Sequence, residues 1–256
     1  MPRRWPLWFL SPGRIPAIIA LTAFCTILPA LDPAGDHFGA FDGPGLTVDE
    51  PFNVGQGVML VDRLLAGDFA GFREVDSRLP DHPPLGRLWI GVCHEAAFLL
   101  SPPVDGRVPY SVTCARTASA VLFAATIWLV GWCAGRWWGP VGGAVSAASL
   151  VLMPRMFGHA HLASLETAIN LAYAACLFLV CDLAPRLIAE GNWRRGRGAA
   201  TSAPQIGGRS PALLYWGSAA ATGMLLGLAL LTKVQAVFLP AALGLWALVW
   251  LRWRAP

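Results

Sequence analysis

The chain has 256 residues, 55% of them hydrophobic and only 13% charged, with a formal net charge of +4. Soluble domains carry about 25% charged residues, so roughly half that share excludes an ordinary water-facing surface and points to lipid as the main solvent. The net charge says little about partners, because local Lys and Arg placement sets membrane orientation, and no basic face interleaved with aromatics marks a nucleic-acid site.

Residues 1–14 are short and basic, with Arg3, Arg4 and Arg14 around Trp5 and Trp8. An uncharged apolar run follows at 15–31, of about the minimum spanning length. A cleaved signal peptide is the rival reading there, but no clear A-x-A site follows. Residues 32–111 change character and hold 12 of the 15 acidic residues and nine prolines. Within them 54–65 is amphipathic, and 85–100 is apolar but carries Arg87, His94 and Glu95. Both read as short helices lying along the membrane interface.

Five further apolar spans are expected at about 113–134, 139–153, 166–184, 212–232 and 234–251, the last two separated by Lys233. Gly142-Gly143-Ala144 and Ser146-Ala147-Ala148 favour close helix packing. Trp137-Trp138, and Trp250 with Trp253 around Arg252, read as interface anchors. The six cysteines (Cys25, Cys93, Cys114, Cys133, Cys176 and Cys181) show no CxxC or Cys/His metal spacing and read as small buried hydrophobes. The expectation is an all-α fold, one transmembrane domain over 1–256 in which six spans carry an outer-face layer of short amphipathic helices.

With the basic N-terminus inside, the connections at 135–138, 185–211 and 252–256 also fall inside and contain Arg136, Arg186, Arg194, Arg195, Arg197, Arg209, Arg252 and Arg254. The stretch 190–211, rich in Gly, Arg, Ser and Ala, reads as a flexible inside loop. The long acidic segment falls outside, where its five arginines escape the positive-inside rule because the segment is long. Short loops and the absence of an N-x-S/T sequon favour a bacterial inner membrane, with the outer side periplasmic.

Four polar clusters then lie outside: Asp49-Glu50, Asp81-His82-Pro83-Pro84-Leu85, Pro154-Arg155-Met156-Phe157-Gly158-His159-Ala160-His161 with Glu166, and Thr232-Lys233. All five histidines, His37, His82, His94, His159 and His161, lie there too, without having been used to set the orientation. That segregation points to an active site at the outer face. Asp49-Glu50 precedes an amphipathic helix, so capping and the helix dipole are one account of the pair. The functional account is a general base for an acceptor hydroxyl, with its neighbour orienting it or holding a metal.

Asp81-His82 leads into Pro83-Pro84, which make a rigid turn into the next helix. That explains the prolines but not an Asp and a His at a membrane surface. A helical continuation from Arg155 would place it with His159, and Glu166 one or two turns on. Charged and imidazole groups so close to spanning helices are costly and are candidates for function. An HxH metal site lacks a third strong ligand fixed by spacing. A phosphate clamp suits these residues better, with Arg155 as a bidentate fork and His159, His161 and Lys233 adding charge. Snorkelling of Arg155 and Lys233 at helix ends is the plainer account.

In this order Asp49-Glu50, Asp81-His82-Pro83-Pro84-Leu85-Gly86, Arg116 opening the second span, the 154–163 stretch before an acidic residue, and Leu230-Leu231-Thr232-Lys233 carry a resemblance. The chain resembles the N-terminal half of GT-C fold glycosyltransferases, nearest to protein O-mannosyltransferases and the aminoarabinose transferases that modify lipid A. The resemblance implies inverting transfer of a sugar from a polyprenyl-phosphate donor to a protein, lipid or glycan acceptor at the outer face. It implies Asp49 and Glu50 at the catalytic centre, with Glu166 as the second outer acidic position. Asp81, His82, Arg155, His159, His161 and Lys233 are the candidate substrate-binding residues. Two departures stand out: relatives usually have Asp followed closely by Pro where this chain has Glu166-Thr167, and they are generally much longer. No cofactor is required by the sequence, and a divalent metal is left open. The alternatives are a non-enzymatic transport or assembly subunit and an inactive truncated relative. A transporter would place polar or broken helices at mid-bilayer, whereas Arg116, Glu166 and Asp182 sit near the ends of the expected spans.

Overall fold

A computed structural model describes residues 11–31, 45–100, 111–180 and 211–254, and every regular element among them is helical. Arg3, Arg4, His37, Cys181, Asp182 and nearly all of the inside loop expected at 190–211 lie outside the described residues. The chain groups into two compact units, Met1–Leu171 with Leu231–Val234, and Ala172–Leu230 with Gln235–Pro256.

The first unit begins with α1 (Arg14–Ile27), followed by a short 3-10 turn. Next come α2 (Glu50–Leu65), α3 (Phe69–Arg78) and α4 (Pro84–Leu100). Local chemistry sets their ends. Pro51 occupies the first turn of α2 and Pro84 opens α4, positions where a missing N–H costs nothing. The chain reverses between α2 and α3 at Gly67, whose φ of 68° suits a residue without Cβ. Asp68 then caps α3 by accepting from the Gly71 amide at 2.8 Å, and Arg63 pairs with it at 3.0 Å.

The run α5 (Val112–Val151) opens at Ser111, whose hydroxyl accepts from the Cys114 amide at 3.1 Å. It is broken at Gly139 (φ 82°, ψ 175°), just before Pro140. A Cβ on Gly143 would lie 2.7 Å from the Gly131 carbonyl oxygen and 3.0 Å from Gly135 Cα. In one straight helix, twelve residues span about 18 Å, so the chain doubles back and its two legs pack antiparallel through glycine. The break falls at the boundary between the apolar stretches expected at 113–134 and 139–153. Val112–Val151 is the one run, among the described residues, long and apolar enough to cross a membrane. Its first leg, 112–138, alone covers roughly 40 Å at about 1.5 Å per residue. The apolar helices Arg14–Ala30, Glu166–Val180, Ala219–Thr232 and Val234–Val249 are shorter, at 10–17 residues.

Two cores hold this unit. Ala20, Ala23 and Ile27 of α1 pack on Ala120, Phe123, Ile127 and Ala147 of α5, with Ala160 beside them. Val54 of α2, Ile90 of α4, and Ala115 and Ala118 of α5 enclose Ala163 and Leu165. The helices α2 and α4 meet backbone to backbone: a Cβ on Gly57 would collide with the Arg87 carbonyl oxygen and sit 3.0 Å from the Gly91 amide. A short helix α6 (Pro154–His159) and the loop after it lead into α7 (Glu166–Val180), which continues into the second unit. That unit also holds most of α8 (Pro211–Thr232) and all of α9 (Phe238–Arg254), which follows a 3-10 turn at Val234–Val237. Within it the Tyr173 hydroxyl donates to the Gln235 carbonyl at 3.1 Å.

The Gly57–Gly91 approach makes a direct prediction. Gly57→Ala drives a methyl into the α4 backbone and should cost about 1–3 kcal/mol, read as a lower thermal midpoint of the detergent-solubilised protein. An unchanged midpoint would mean that the two helices do not meet at this distance.

Candidate functional site

The first turn of α2 divides two adjacent carboxylates. Glu50 turns inward and is 1% exposed, against Arg116 of α5, which is fully buried. Arg116 Nε donates to Glu50 Oε1 at 2.8 Å and Nη2 to Oε2 at 2.9 Å, a bidentate fork. Nη2 also donates to the Gly45 carbonyl at 2.6 Å. Glu50 further accepts from the Thr47 amide at 2.9 Å and from the Ala163 amide at 2.8 Å. The Thr47 contact closes the turn that leads into α2. One carboxylate therefore ties the start of α2, the start of α5 and the 160–165 loop together. Burial pushes the Glu50 carboxyl up, but the Arg116 hydrogen bonds, the two amides and the Arg116 charge outweigh it and hold the group below its ordinary value of 4.5.

A second buried arginine organises the next wall. Arg87 of α4 is 2% exposed. Its Nε donates to Asn53 Oδ1 at 3.1 Å, Nη1 to Gln56 Oε1 and to the Leu79 carbonyl, and Nη2 to Asp81 Oδ1 at 2.8 Å. Gln56 passes the restraint on, donating to the Val75 carbonyl at 2.7 Å. Partial burial pushes Asp81 up, yet the Arg87 hydrogen bond and charge, with His82 nearby, hold it below the usual carboxylate value.

These clamps border a cavity of about 540 Å³, within the usual range for ligand sites. Asp49, Phe52 and Asn53 line it from α2, Asp81, His82 and Arg87 from the approach to α4, and His159 and 162–166 from the far loop, with Lys233 alongside. Asp49 is exposed to this space. It stands at the helix cap position but makes no capping bond, so capping does not account for it. Glu166 pairs with Lys233 at 2.5 Å. The ring atoms His82 Nδ1 and His159 Nδ1 and the Ser164 hydroxyl are buried without a hydrogen-bond partner among the described residues. The cavity thus gathers an unpaired carboxylate, two imidazoles with a spare nitrogen, and an ammonium.

Of the nine residues singled out in the sequence, Asp49, Asp81, His82, His159, Glu166 and Lys233 line this space. Three do not. Glu50 is locked behind the wall by Arg116. Arg155 is exposed on α6, outside the cavity lining. His161 Nδ1 bonds the Phe157 carbonyl at 2.9 Å and its ring lies against Phe157, which turns it back on its own segment. Arg155 and His159 are not aligned with Glu166 by one continuous helix, because α6 ends at His159 and a loop intervenes. His94, another of the histidines expected on the outer side, is structural: its Nε2 accepts from the Ser111 amide at 2.9 Å, so the ring proton sits on Nδ1, 2.8 Å from Glu95. Arg87, Asn53 and Gln56 escaped the sequence reading as site residues. Their signal was Asn53 and Gln56 on the same stripe of α2 as Val54, Gly57 and Leu60, polar groups where an apolar face was due. Among the described residues, no group of three His, Cys, Asp or Glu side chains suits a metal ion.

No protein-family model, curated protein or solved structure matches the chain. The functional argument therefore rests on the cavity and its residues.

The Glu50 clamp carries a pH signature. A carboxyl whose folded value lies below its unfolded one stabilises the fold fully above the unfolded value, and the contribution disappears as pH falls through the folded value. Wild type should lose stability on acidification below about 4.5. Glu50→Gln leaves Arg116 buried without its counter-charge, so it should be less stable near neutrality by about 3–5 kcal/mol and should show a shallower acid limb. Thermal midpoints against pH for both proteins check this, and parallel acid limbs would contradict it.

Proposed function

We propose that this chain is an integral membrane glycosyltransferase of the GT-C kind, moving a sugar from a polyprenyl phosphate to an acceptor hydroxyl with inversion. In this reading the apolar helices cross the bilayer six times, and α2, α3 and α4 lie along the outer, periplasmic face of a bacterial inner membrane. The observation that carries it is the Asp49 carboxylate, free of hydrogen bonds among the described residues, in one cavity with His82, His159 and Lys233. Transfer from a lipid phosphate requires a base on the attacking side and neutralisation of charge on the leaving side.

Asp49 takes the acceptor proton as the hydroxyl oxygen bonds the anomeric carbon. The bond from that carbon to the lipid phosphate breaks, and its electron pair stays on the phosphate. Lys233 and the ring N–H groups of His82 and His159 meet that developing charge. Glu166 holds the Lys233 ammonium in place, so its role is orientation rather than proton transfer. Glu50 acts through the backbone: by fixing 45–50 against α5 it aims Asp49 at the cavity. Asp81, fixed by Arg87, is placed to hydrogen-bond a sugar hydroxyl.

A purified sample with a radiolabelled polyprenyl-phosphate hexose tests this. Asp49→Asn should bind donor as wild type does but release sugar about 10²–10⁴ times more slowly. Equal release by both proteins removes Asp49 from the chemistry. The same assay separates the two groups of cations. Lys233→Ala and His159→Ala should weaken donor binding about tenfold or more, a loss of roughly 1.4 kcal/mol. Arg155→Ala and His161→Ala, outside the cavity, should change it less than about twofold. A large loss in either of the latter would move the phosphate to α6.

A further inference from the structure

A second recess adjoins the cavity. It is a slot of about 340 Å³ between α2 and α3, bounded by Phe52, Gln56, Met59, Val75, Arg78 and Leu79. Phe52 and Leu79 line both spaces, so the two meet at these side chains. Asp49 precedes α2, one turn before Phe52 and Asn53, which puts the carboxylate beside the mouth of the slot.

The slot differs in chemistry from the cavity. Gln56 has its amide engaged at both ends, by the Val75 carbonyl and by Arg87, and presents little free polarity. Val75 is buried while Phe52 and Met59 stay 55% and 41% exposed, large apolar groups only half covered by protein. None of His82, His159 and Lys233 borders it. A lipid phosphate therefore has no reason to enter, whereas hydrocarbon does. Arg78, the one lysine or arginine in its lining, is already paired with exposed Glu74 at 2.7 Å. On the same two helices Leu65 and Phe69 are 79% and 67% exposed, and Val48 just before α2 is 84% exposed. Apolar surface thus runs on beyond the slot, as it would where the layer meets lipid.

We propose that the slot is the acceptor subsite and holds the hydrocarbon portion of a membrane-borne lipid alcohol whose hydroxyl reaches Asp49. This rests on the glycosyltransferase reading above. The donor occupies the cavity with its phosphate at the cations. The acceptor enters along α2 and α3, gives its hydroxyl proton to Asp49, and leaves as the glycoside while the polyprenyl phosphate departs.

The test uses the full chain in lipid nanodiscs with radiolabelled polyprenyl-phosphate hexose and a mixture of 1-butanol, 1-octanol and 1-decanol as probe acceptors. Competition in one vessel reads a selectivity ratio that cancels overall activity and donor binding. Each methylene buried in the slot is worth about fourfold, so wild type should prefer octanol beyond the ratio that bilayer partitioning alone gives. Met59→Trp fills the slot and should bring the ratio down to what bilayer partitioning alone gives. Met59→Ala enlarges it and should move the preference toward 1-decanol, which keeps the test open if the tryptophan variant does not fold. Octanol-to-butanol ratios that are the same in wild type and both variants overturn the slot assignment alone. Transfer to a short Ser-containing peptide but to neither alcohol also overturns it. Donor left uncleaved with every acceptor and with water overturns the glycosyltransferase reading beneath it.

Discussion

The ion pair between Glu50 and Arg116 is the constraint on which the first helical unit of this molecule depends. Its partners are 66 positions apart on the chain, and the Ala163 amide that joins it lies a further 47 beyond Arg116. Burying two charges is costly, and such a pair often adds little net stability compared with apolar residues of the same shape. Its consequence here is geometric. Every lone-pair direction of the carboxylate that the fold buries is answered, by a guanidinium fork and two amides, so the chain at 45–50, the head of α5 and the loop at 163 have one mutual arrangement. The Asp49 carboxylate has no hydrogen-bond partner among the described residues and takes its place from that arrangement.

Close backbone packing supplies the frame around the pair. Glycines at 57 and 91 let α2 and α4 approach until only hydrogen fits between them, and glycines at 131, 135 and 143 do the same for the two legs of α5. Helices packed this tightly leave no room for long side chains at the contact, so Arg87 and Arg116 extend along the seams and end at fixed points. Arg87 finds Asn53, Gln56 and Asp81 there, and Arg116 finds Glu50. Buried polar groups with every partner met specify one arrangement, because a shifted register would leave a charge unanswered.

Neighbouring acidic residues thus serve different ends. Asp49 and Glu50 start the same helix, about 100° apart around its axis, and one methylene longer arm lets Glu50 reach inward while Asp49 stays at the rim. The same division appears at the far wall, where Glu166 is engaged by Lys233 and the imidazoles of His82 and His159 keep a nitrogen free. A polar cavity lies next to an apolar slot, and the Asp49 carboxylate stands near where they meet.

Hydrophobic content and its breaks were enough to determine, from the sequence alone, the all-helical character of the described residues, the helices near 54–65 and 85–100, the interruption around 139 and the punctuation at Lys233. These are local properties: apolar period, proline, glycine and charge act over a few residues. The sequence also named the polar clusters from which the cavity is built. Which members of a cluster share the space was decided by tertiary structure. Arg155 and His161 lie within a few positions of His159, yet of the three only His159 lines the cavity: Arg155 is exposed on α6, and His161, past the end of α6, closes onto Phe157. Glu50, expected beside Asp49 at a catalytic centre, lies buried against Arg116 for the same kind of reason. Its partner is Arg116, and no periodicity within a window of ten or twenty residues reports a bond formed across sixty-six.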